Sequence, residues 1–374
     1  MVDHKQNLRY IPQLDGIRGI AILLVIAYHS MLWQLKTGVV PKYIHIVLQT
    51  TKTGWLGVDL FFVLSGFLIT RILLHTKNEP WYFRSFYARR ALRILPVFWV
   101  TIIAVALLYD APGSYVACCF LFLANIGPLF GVTSIYLPFW SLCVEEHYYM
   151  LWPCIVKLLR RGLLPWICVA ICIGEPLLRL CGLRWGADIL FVSWYRFDGL
   201  AYGSLLALLS QNLSPRGFRI WGLGIAGSGL ALLFAGLPFG ILDRTTPVGA
   251  SLEFTFSELF FLGFLCFSIG LSAKYAVVLS RGPLLLAGQL SYCLYLVNLV
   301  VFQQWDLFVK WSYSSILAHA GIGYYLVRVT CCVAISFLIA MLSRRFLENP
   351  ILRLKRFFPA SGSRTARKRA EVAA

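Results

Sequence analysis

An arginine and a histidine stand eleven residues apart in the first long apolar run of the chain, as Arg18 and His29. Ionisable side chains are costly inside such a run, and those that are kept there usually serve a function. Eleven steps of about 100° come within about 20° of three full turns, so on a helix the two side chains share a face. The pattern predicts a cation near one membrane surface and, roughly 16 Å away, an imidazole that acts as a general base. The alternative is a histidine buried for structural reasons alone.

Two adjacent glutamates, Glu145 and Glu146, lie at about the depth of His29 in a more polar run, PFWSLCVEEHYYMLWP. Adjacent positions on a helix differ by about 100°, so only one glutamate is expected to face the site. We predict that Glu145 is the catalytic carboxylate that orients or charges His29. Ser141, one turn away on the same face, and Glu146 are then candidate substrate-binding residues. The alternative is a buried ion pair of these carboxylates with Arg196 or another cation.

Arginines cluster where the second apolar run leads into the third. Arg90 and Arg93 are spaced i, i+3 in FYARRALRILP, with Arg89 beside them and Arg71 at the end of the preceding run. Forked guanidinium donors suit the recognition of phosphate groups. We predict that Arg90, Arg93 and Arg71 bind the phosphates of a donor molecule. Under the alternative, these charges only set the membrane topology.

Three further charged residues lie inside apolar runs, Asp59, Arg196 and Asp198. Each is predicted either to bind a hydroxylated acceptor or to hold helices together internally. A polar stripe at i, i+3 and i+6 is more typical of helix contact than of catalysis: Tyr292, Tyr295 and Asn298.

The elements that position these residues follow from the composition. The 374 residues are 59% hydrophobic and 13% charged, with a mean hydropathy of +0.74. Soluble domains are less apolar and about twice as charged, so we predict an all-α polytopic membrane protein. Ten apolar stretches are long enough to span the membrane. One more, at about 114–126, is too short to span and is predicted to form a short re-entrant or interfacial helix. The stretches long enough to span lie at about 17–34, 55–74, 94–109, 136–157, 163–181, 189–210, 220–238, 251–271, 283–303 and 322–342.

The distribution of lysine and arginine predicts the orientation. With ten spans, most basic residues fall on the side of the N-terminus, which places both termini in the cytoplasm by the positive-inside rule. A cleavable signal peptide is not expected, because the first apolar run is long and lacks a small-residue cleavage site. The net charge of +18 is then loop charge plus a basic, disordered tail at 351–374, and nucleic-acid binding is not predicted.

Other chemistries find little support in the sequence. The eleven cysteines lack metal-ligand spacing with histidine, so we interpret them as small buried hydrophobic residues and predict no metal site. The chain contains no D-x-D pair, P-loop or G-x-S-x-G motif. His29 is not followed by an aspartate five residues later, as it would be in soluble-type glycerolipid acyltransferases.

With these residues, the chain resembles the bacterial acyltransferase family 3, membrane O-acyltransferases that transfer acetyl and related groups to carbohydrates. The resemblance runs from about Leu14 to Pro350, and six motifs occur in the family's order. They are LDGIRGIAILLVIAYH, GVDLFFVLSGFLIT, the RxxR of ARRALRILP, WSLCVEEHYYMLWP, RFDGLAYG and SYCLYLVN. The resemblance implies one transmembrane acyltransferase domain over 1–350.

The resemblance also implies roles for individual residues. Arg18 and His29 would be the family's essential pair, and Glu145 the acidic member of the fourth-span motif. Arg90 and Arg93 would form the RxxR motif near the acyl-CoA side. One departure is visible, because the family often has histidine where this chain has Asn298.

The expected function is transfer of an acyl group, most readily acetyl, from cytoplasmic acyl-CoA to a carbohydrate hydroxyl at the cell (inner) membrane. Acetyl-CoA would be a donor substrate, with no permanently bound cofactor. Direct transfer and an acyl-histidine intermediate both remain open. Expected partners are membrane lipids, a carbohydrate or lipid-linked glycan acceptor and a separate extracytoplasmic protein if the domain does not work alone. The alternatives are a non-catalytic transporter and a ligand-sensing domain of the same fold.

Overall fold

The computed structural model describes residues 10–37, 52–186, 188–210, 213–243, 246–312 and 322–359, and the regular structure within these ranges is helical. Every internal backbone group of a helix is hydrogen-bonded within the helix, which suits a chain this apolar to a bilayer. The main helices are α1 (Gln13–Thr37), α2 (Leu56–Thr76), α3 (Tyr82–Leu108), α4 (Gly113–Phe120), α5 (Phe139–Leu158), α6 (Leu164–Arg184), α7 (Asp198–Leu209), α8 (Pro215–Gly236), α9 (Pro247–Ile269), α10 (Ala273–Ser280), α11 (Gly282–Ser312) and α12 (Ile322–Ser343).

The polytopic all-α class is confirmed, although the number of long apolar helices differs from the sequence prediction. In the described part of the chain, eight helices are long and apolar enough to cross a membrane, where the sequence predicted about ten spans. The predicted span at 189–210 contains a 3-10 turn, Ser193–Tyr195, and the 12-residue α7, which is about 18 Å long at 1.5 Å per residue. Helix α5 has 20 residues, but its polar side chains, including both glutamates, lower its hydropathy. The predicted short element at 114–126 contains α4, eight residues long.

Close glycine contacts hold α1 against α11. A Cβ atom at Gly19 would collide with the carbonyl oxygen of Leu284, and one at Gly288 would collide with that of Asp15. Small residues of this kind let helix backbones approach each other in membranes. The two helices run parallel, because residues near the start of α1 meet the start of α11 and His29 meets Asn298 further along. Helix α2 packs on α7 through similar contacts.

The end of α12 leads into a segment that folds back against α3. A π-helical turn, Arg344–Glu348, is followed by a short helix, Asn349–Leu352, and a 3-10 turn, Arg353–Phe357. The Nη1 atom of Arg89 on α3 donates a hydrogen bond to the carbonyl oxygen of Phe358 at 3.0 Å. The sequence predicted a disordered tail from residue 351, but helical turns continue to residue 357 because this contact and its neighbours hold them. Residues 360–374 of that predicted tail lie outside the described residues.

Candidate active site

An inner cavity of about 680 Å³ lies among α1, α2, α3, α5 and α11. Its lining joins charged and hydroxyl groups from five helices that are far apart in the sequence. The polar residues that line it are Arg18, Ser65, Arg90, Arg93, Ser141, Glu145, Ser291, Tyr292 and Tyr295. The structure therefore brings together residues from five of the motifs that the sequence singled out.

An outer cavity of about 940 Å³ adjoins the inner one. Arg18, Ser65, Arg90 and Arg93 line both cavities, so the two form a continuous path. The residues that line only the outer cavity include Thr76, Glu79, Trp81, Tyr82, Ser85, Arg89 and Lys355. The path thus runs from a cation-rich end beside the turn between α2 and α3 to an end that contains Glu145 and hydroxyl groups.

Arg90 binds both glutamates of α5. Its Nη2 lies 3.6 Å from Glu145 Oε2, and its Nε lies 3.6 Å from Glu146 Oε1. Its guanidinium carbon also lies 3.7 Å from the ring centroid of Tyr149, and Ser65 Oγ donates to Glu145 at 2.8 Å. Only Glu145 lines the inner cavity and Glu146 lines neither cavity, so one glutamate faces this space as predicted, although one forked guanidinium reaches carboxylates from both adjacent helix positions. The two glutamates do form the buried ion pair that the sequence left open as the alternative, and its cation is Arg90 rather than Arg196.

His29 pairs with Asn298 and not with the glutamate that the sequence predicted. Its Nδ1 lies 2.6 Å from Asn298 Oδ1, and the histidine is buried. The Asn298 amide nitrogen donates to the carbonyl oxygens of Leu294 and Tyr295 at 2.6 and 3.1 Å. Because both amide protons are used, Oδ1 must accept, so Nδ1 of neutral His29 carries the proton and Nε2 carries the lone pair. Glu145 does not orient His29, since it pairs with Arg90.

His29 lies just beyond the inner cavity. It does not line either of the two cavities, but Asn298 follows the cavity residue Tyr295 by one turn of α11. The Tyr295 hydroxyl forms a short hydrogen bond with Ser141 and donates to the carbonyl oxygen of Pro138 at 3.1 Å. The polar stripe that the sequence assigned to helix contact therefore also connects the cavity to the histidine.

Arg18 is held at the junction of the two cavities by a carboxylate one turn earlier in α1. Its Nη1 donates to Asp15 Oδ1 at 3.0 Å, and the Tyr10 hydroxyl donates to the other oxygen of Asp15. This hydrogen bond, together with partial burial, raises the pKa of Tyr10 to about 12. Tyr10 therefore remains a donor, and the carboxylate that fixes Arg18 is itself fixed.

The remaining charged candidates form a separate buried cluster. Asp59 forms an ion pair with Arg196, and Asp198 accepts a hydrogen bond from Arg179 Nη2 at 2.7 Å. All four side chains are at most 1% exposed. Asp59, Arg196 and Asp198 line neither of these two cavities, and their ion pairs are of the internal kind that the sequence left open as the alternative to acceptor binding. Sequence reasoning missed Arg179, although its i, i+4 spacing from Glu175 inside an apolar run was a usable signal.

Arg71 is not part of the cation cluster. It lies over the ring of Phe67, with its guanidinium carbon 5.4 Å from the centroid, and it lines neither cavity. Ile72 lines the outer cavity, and the adjacent position points about 100° away on the same helix. Arg89 and Lys355 occupy the outer cavity instead.

Comparison with known proteins gives the family and its relatives. The family described as an acyltransferase domain, Acyl_transf_3, matches residues 11–344. Peptidoglycan O-acetyltransferase OatA of Listeria monocytogenes is 29% identical, over 93% of this chain and 56% of the relative. Putative peptidoglycan O-acetyltransferase YrhL of Bacillus subtilis is 35% identical, over 40% of this chain and 24% of the relative. O-acetyltransferase OatA of Staphylococcus aureus is 26% identical, over 92% of this chain and 57% of the relative.

The chain spans a little over half the length of the two OatA proteins that it matches along nearly its whole length. No solved structure matches the chain.

Proposed function

The chain belongs to the acyltransferase family 3, and from that premise we propose that it is a membrane O-acetyltransferase that acts on a carbohydrate hydroxyl. The observation that carries the proposal is the convergence of separate motifs on one path: Arg18, Arg90 and Arg93 line both cavities, and Glu145 lines the inner one. Relatives named as O-acetyltransferases support the acetyl group and the carbohydrate acceptor.

The proposed donor is acetyl-CoA, which enters the outer cavity from the cytoplasm. Five cationic side chains and a single carboxylate line that cavity, a charge balance suited to a molecule with several phosphates. Arg90 is paired with Glu145 and Glu146 and Arg18 with Asp15, so Arg93 is the more available of the three arginines as a phosphate donor along the path. The pantetheine arm would extend into the inner cavity toward Tyr295.

The proposed base is the Nε2 atom of His29. It takes the proton of the acceptor hydroxyl while that oxygen attacks the thioester carbonyl carbon. The carbon–sulfur bond breaks, and the thiolate leaves and receives the proton, so that free CoA and an acetyl ester form. In the covalent variant, Nε2 itself attacks the thioester first, the carbon–sulfur bond breaks and CoA leaves as the thiolate. The acceptor oxygen then attacks the acetyl-imidazole, the bond to Nε2 breaks, and the hydroxyl proton passes through solvent to the thiolate. Both variants need the lone pair on Nε2, which is the tautomer that Asn298 favours.

The proposed acceptor is a carbohydrate on the far side of the membrane, and the names of the relatives make peptidoglycan the first to test. The acetyl group would then travel from a cytoplasmic donor across part of the bacterial cell membrane. Membrane lipids surround the domain, and a separate extracytoplasmic protein could supply the later part of the transfer.

The test uses the full chain in nanodiscs with radiolabelled acetyl-CoA and a peptidoglycan fragment. His29→Ala and Arg18→Ala should each lower acetyl transfer at least a hundredfold. Arg216→Ala, an exposed arginine at the start of α8, is the matched control and should keep wild-type activity. Undiminished transfer in both of the first two variants would contradict the catalytic role of Arg18 and His29. Acetyl-CoA binding without any turnover in the wild-type chain would favour a ligand-sensing domain instead.

A further inference from the structure

The outer cavity contains two cations that neither the family motifs nor the sequence analysis assigned, Arg89 and Lys355. Lys355 lies in the turn Arg353–Phe357, beyond the last residue of the family match at 344. The hydrogen bond from the Arg89 side chain to the carbonyl oxygen of Phe358, the residue after this turn, holds it against α3. The segment after α12 therefore contributes part of the cavity wall.

Few acidic groups neutralise the positive charges in the outer cavity. In the part of the chain that the structure describes, Lys355, Arg89 and Arg93 form no ion pair with a carboxylate, whereas Arg90 has two. Lys355 is only half-buried, and its ammonium faces the same space as the arginines of α3. Like charges that share a partly enclosed space repel each other, and a bound anion relieves that repulsion. The cluster thus has the chemistry of a phosphate site.

The order of residues along the path indicates which phosphate would bind there. Arg18 and Arg93 line both cavities, while Lys355 and Arg89 line only the outer one. The acyl end of the donor must reach the inner cavity, so its nucleotide end stays outside. Trp81 lines the same outer space and offers an aromatic surface beside it.

We propose that Arg89 and Lys355 form a subsite for the phosphomonoester at the nucleotide end of the acyl-CoA donor. The inference rests on the proposed function, since it takes acyl-CoA to be the donor. Its consequence is that the segment after α12 helps the site to distinguish CoA from molecules that lack the terminal phosphate.

The test is equilibrium binding of CoA and of 3′-dephospho-CoA to the full chain in zwitterionic nanodiscs. The wild-type chain should bind dephospho-CoA at least tenfold more weakly than CoA. Lys355→Ala should bind CoA as weakly as the wild type binds dephospho-CoA, with dephospho-CoA binding unchanged. Lys355→Arg should restore the preference. Arg356→Ala, an exposed neighbour that does not line the cavity, should match the wild type.

The outcomes separate the subsite from the donor. If the wild type binds both ligands equally, or Lys355→Ala keeps the full preference, the subsite is overturned while acyl-CoA stands as the donor. If the wild type binds neither ligand, the proposed donor fails and the subsite fails with it. An anionic lipid headgroup shares the phosphate chemistry. If phosphatidylglycerol in the nanodiscs removes the CoA preference of the wild type, the headgroup occupies the subsite and its assignment to the donor is overturned.

Discussion

His29 on α1 and Asn298 on α11 meet through an Nδ1 to Oδ1 distance of 2.6 Å, although 269 residues separate them in the chain. The asparagine amide is fixed in turn by two backbone carbonyls of its own helix. A buried imidazole with one nitrogen held in this way keeps the other free to accept a proton. Asn298 is therefore a positioning residue for the proposed base.

Replacing Asn298 should damage turnover without damaging donor binding. Asn298→Leu keeps the size of the side chain but removes the acceptor, so the Nδ1 proton loses its partner and the tautomer is no longer fixed. We expect acetyl transfer to fall at least tenfold while CoA affinity stays within twofold. Asn298→His, which offers a ring nitrogen in place of the amide oxygen, should retain more activity than the leucine variant. Equal losses in both variants would contradict the positioning role.

Removing Arg90 should destabilise the protein as well as inactivate it. Arg90→Leu leaves Glu145 and Glu146 side by side in a mostly buried place without their cation. Such uncompensated charge costs about 3 kcal/mol, and somewhat less where water reaches the carboxylates. The melting temperature in detergent measures the loss. A triple variant that combines Arg90→Leu with Glu145→Gln and Glu146→Gln should recover part of that stability but no activity. This result would separate the structural role of Arg90 from its role in acetyl transfer.

The buried pair of Asp59 and Arg196 should matter for stability and not for acceptor affinity. Asp59→Asn keeps the shape but leaves the guanidinium with a neutral partner in a fully buried place. We expect a loss of about 3–5 kcal/mol in the free energy of unfolding or a lower yield of folded protein. The KM for the carbohydrate in the surviving fraction should match that of the wild type. A raised KM with unchanged stability would instead return Asp59 to the acceptor site that the sequence left open.

The close approach of α1 and α11 should tolerate no side chain at Gly288. An alanine Cβ there would collide with the backbone carbonyl oxygen of Asp15, so the helices must separate. Separation would move both Arg18 and the contact between His29 and Asn298. We expect Gly288→Ala to lose most acetyl transfer and several degrees of melting temperature.

Glycines on another helix provide the matched control for that substitution. Gly224 and Gly227 on α8 have open space where a Cβ would lie. Alanine is favoured over glycine within a helix by roughly 0.5–1 kcal/mol, so Gly224→Ala should leave stability equal or slightly higher. A loss at Gly224 as large as that at Gly288 would mean that helix contact is not the cause.

Local features of the sequence were enough to predict the class of protein and five of the polar residues that line the cavities, Arg18, Arg90, Arg93, Ser141 and Glu145. Hydropathy and length indicate apolar helices because a spanning segment must be both long and apolar. Helix periodicity correctly placed Arg90 and Arg93 on one face, since three residues make nearly one turn. The same reasoning overestimated the span at 189–210, where apolar composition continues through turns that are not part of α7.

The partners of these residues were decided only by the tertiary structure. Periodicity tells which face of a helix carries a side chain, but the helix opposite that face depends on packing over the whole bundle. Arg90 therefore meets two glutamates at once, and His29 meets Asn298 rather than Glu145. Lys355 joins the cation cluster only because the chain folds back after α12. The sequence by itself determined which polar and charged side chains lie within the apolar helices. Contacts between helices that are distant in the chain determined which of these side chains meet.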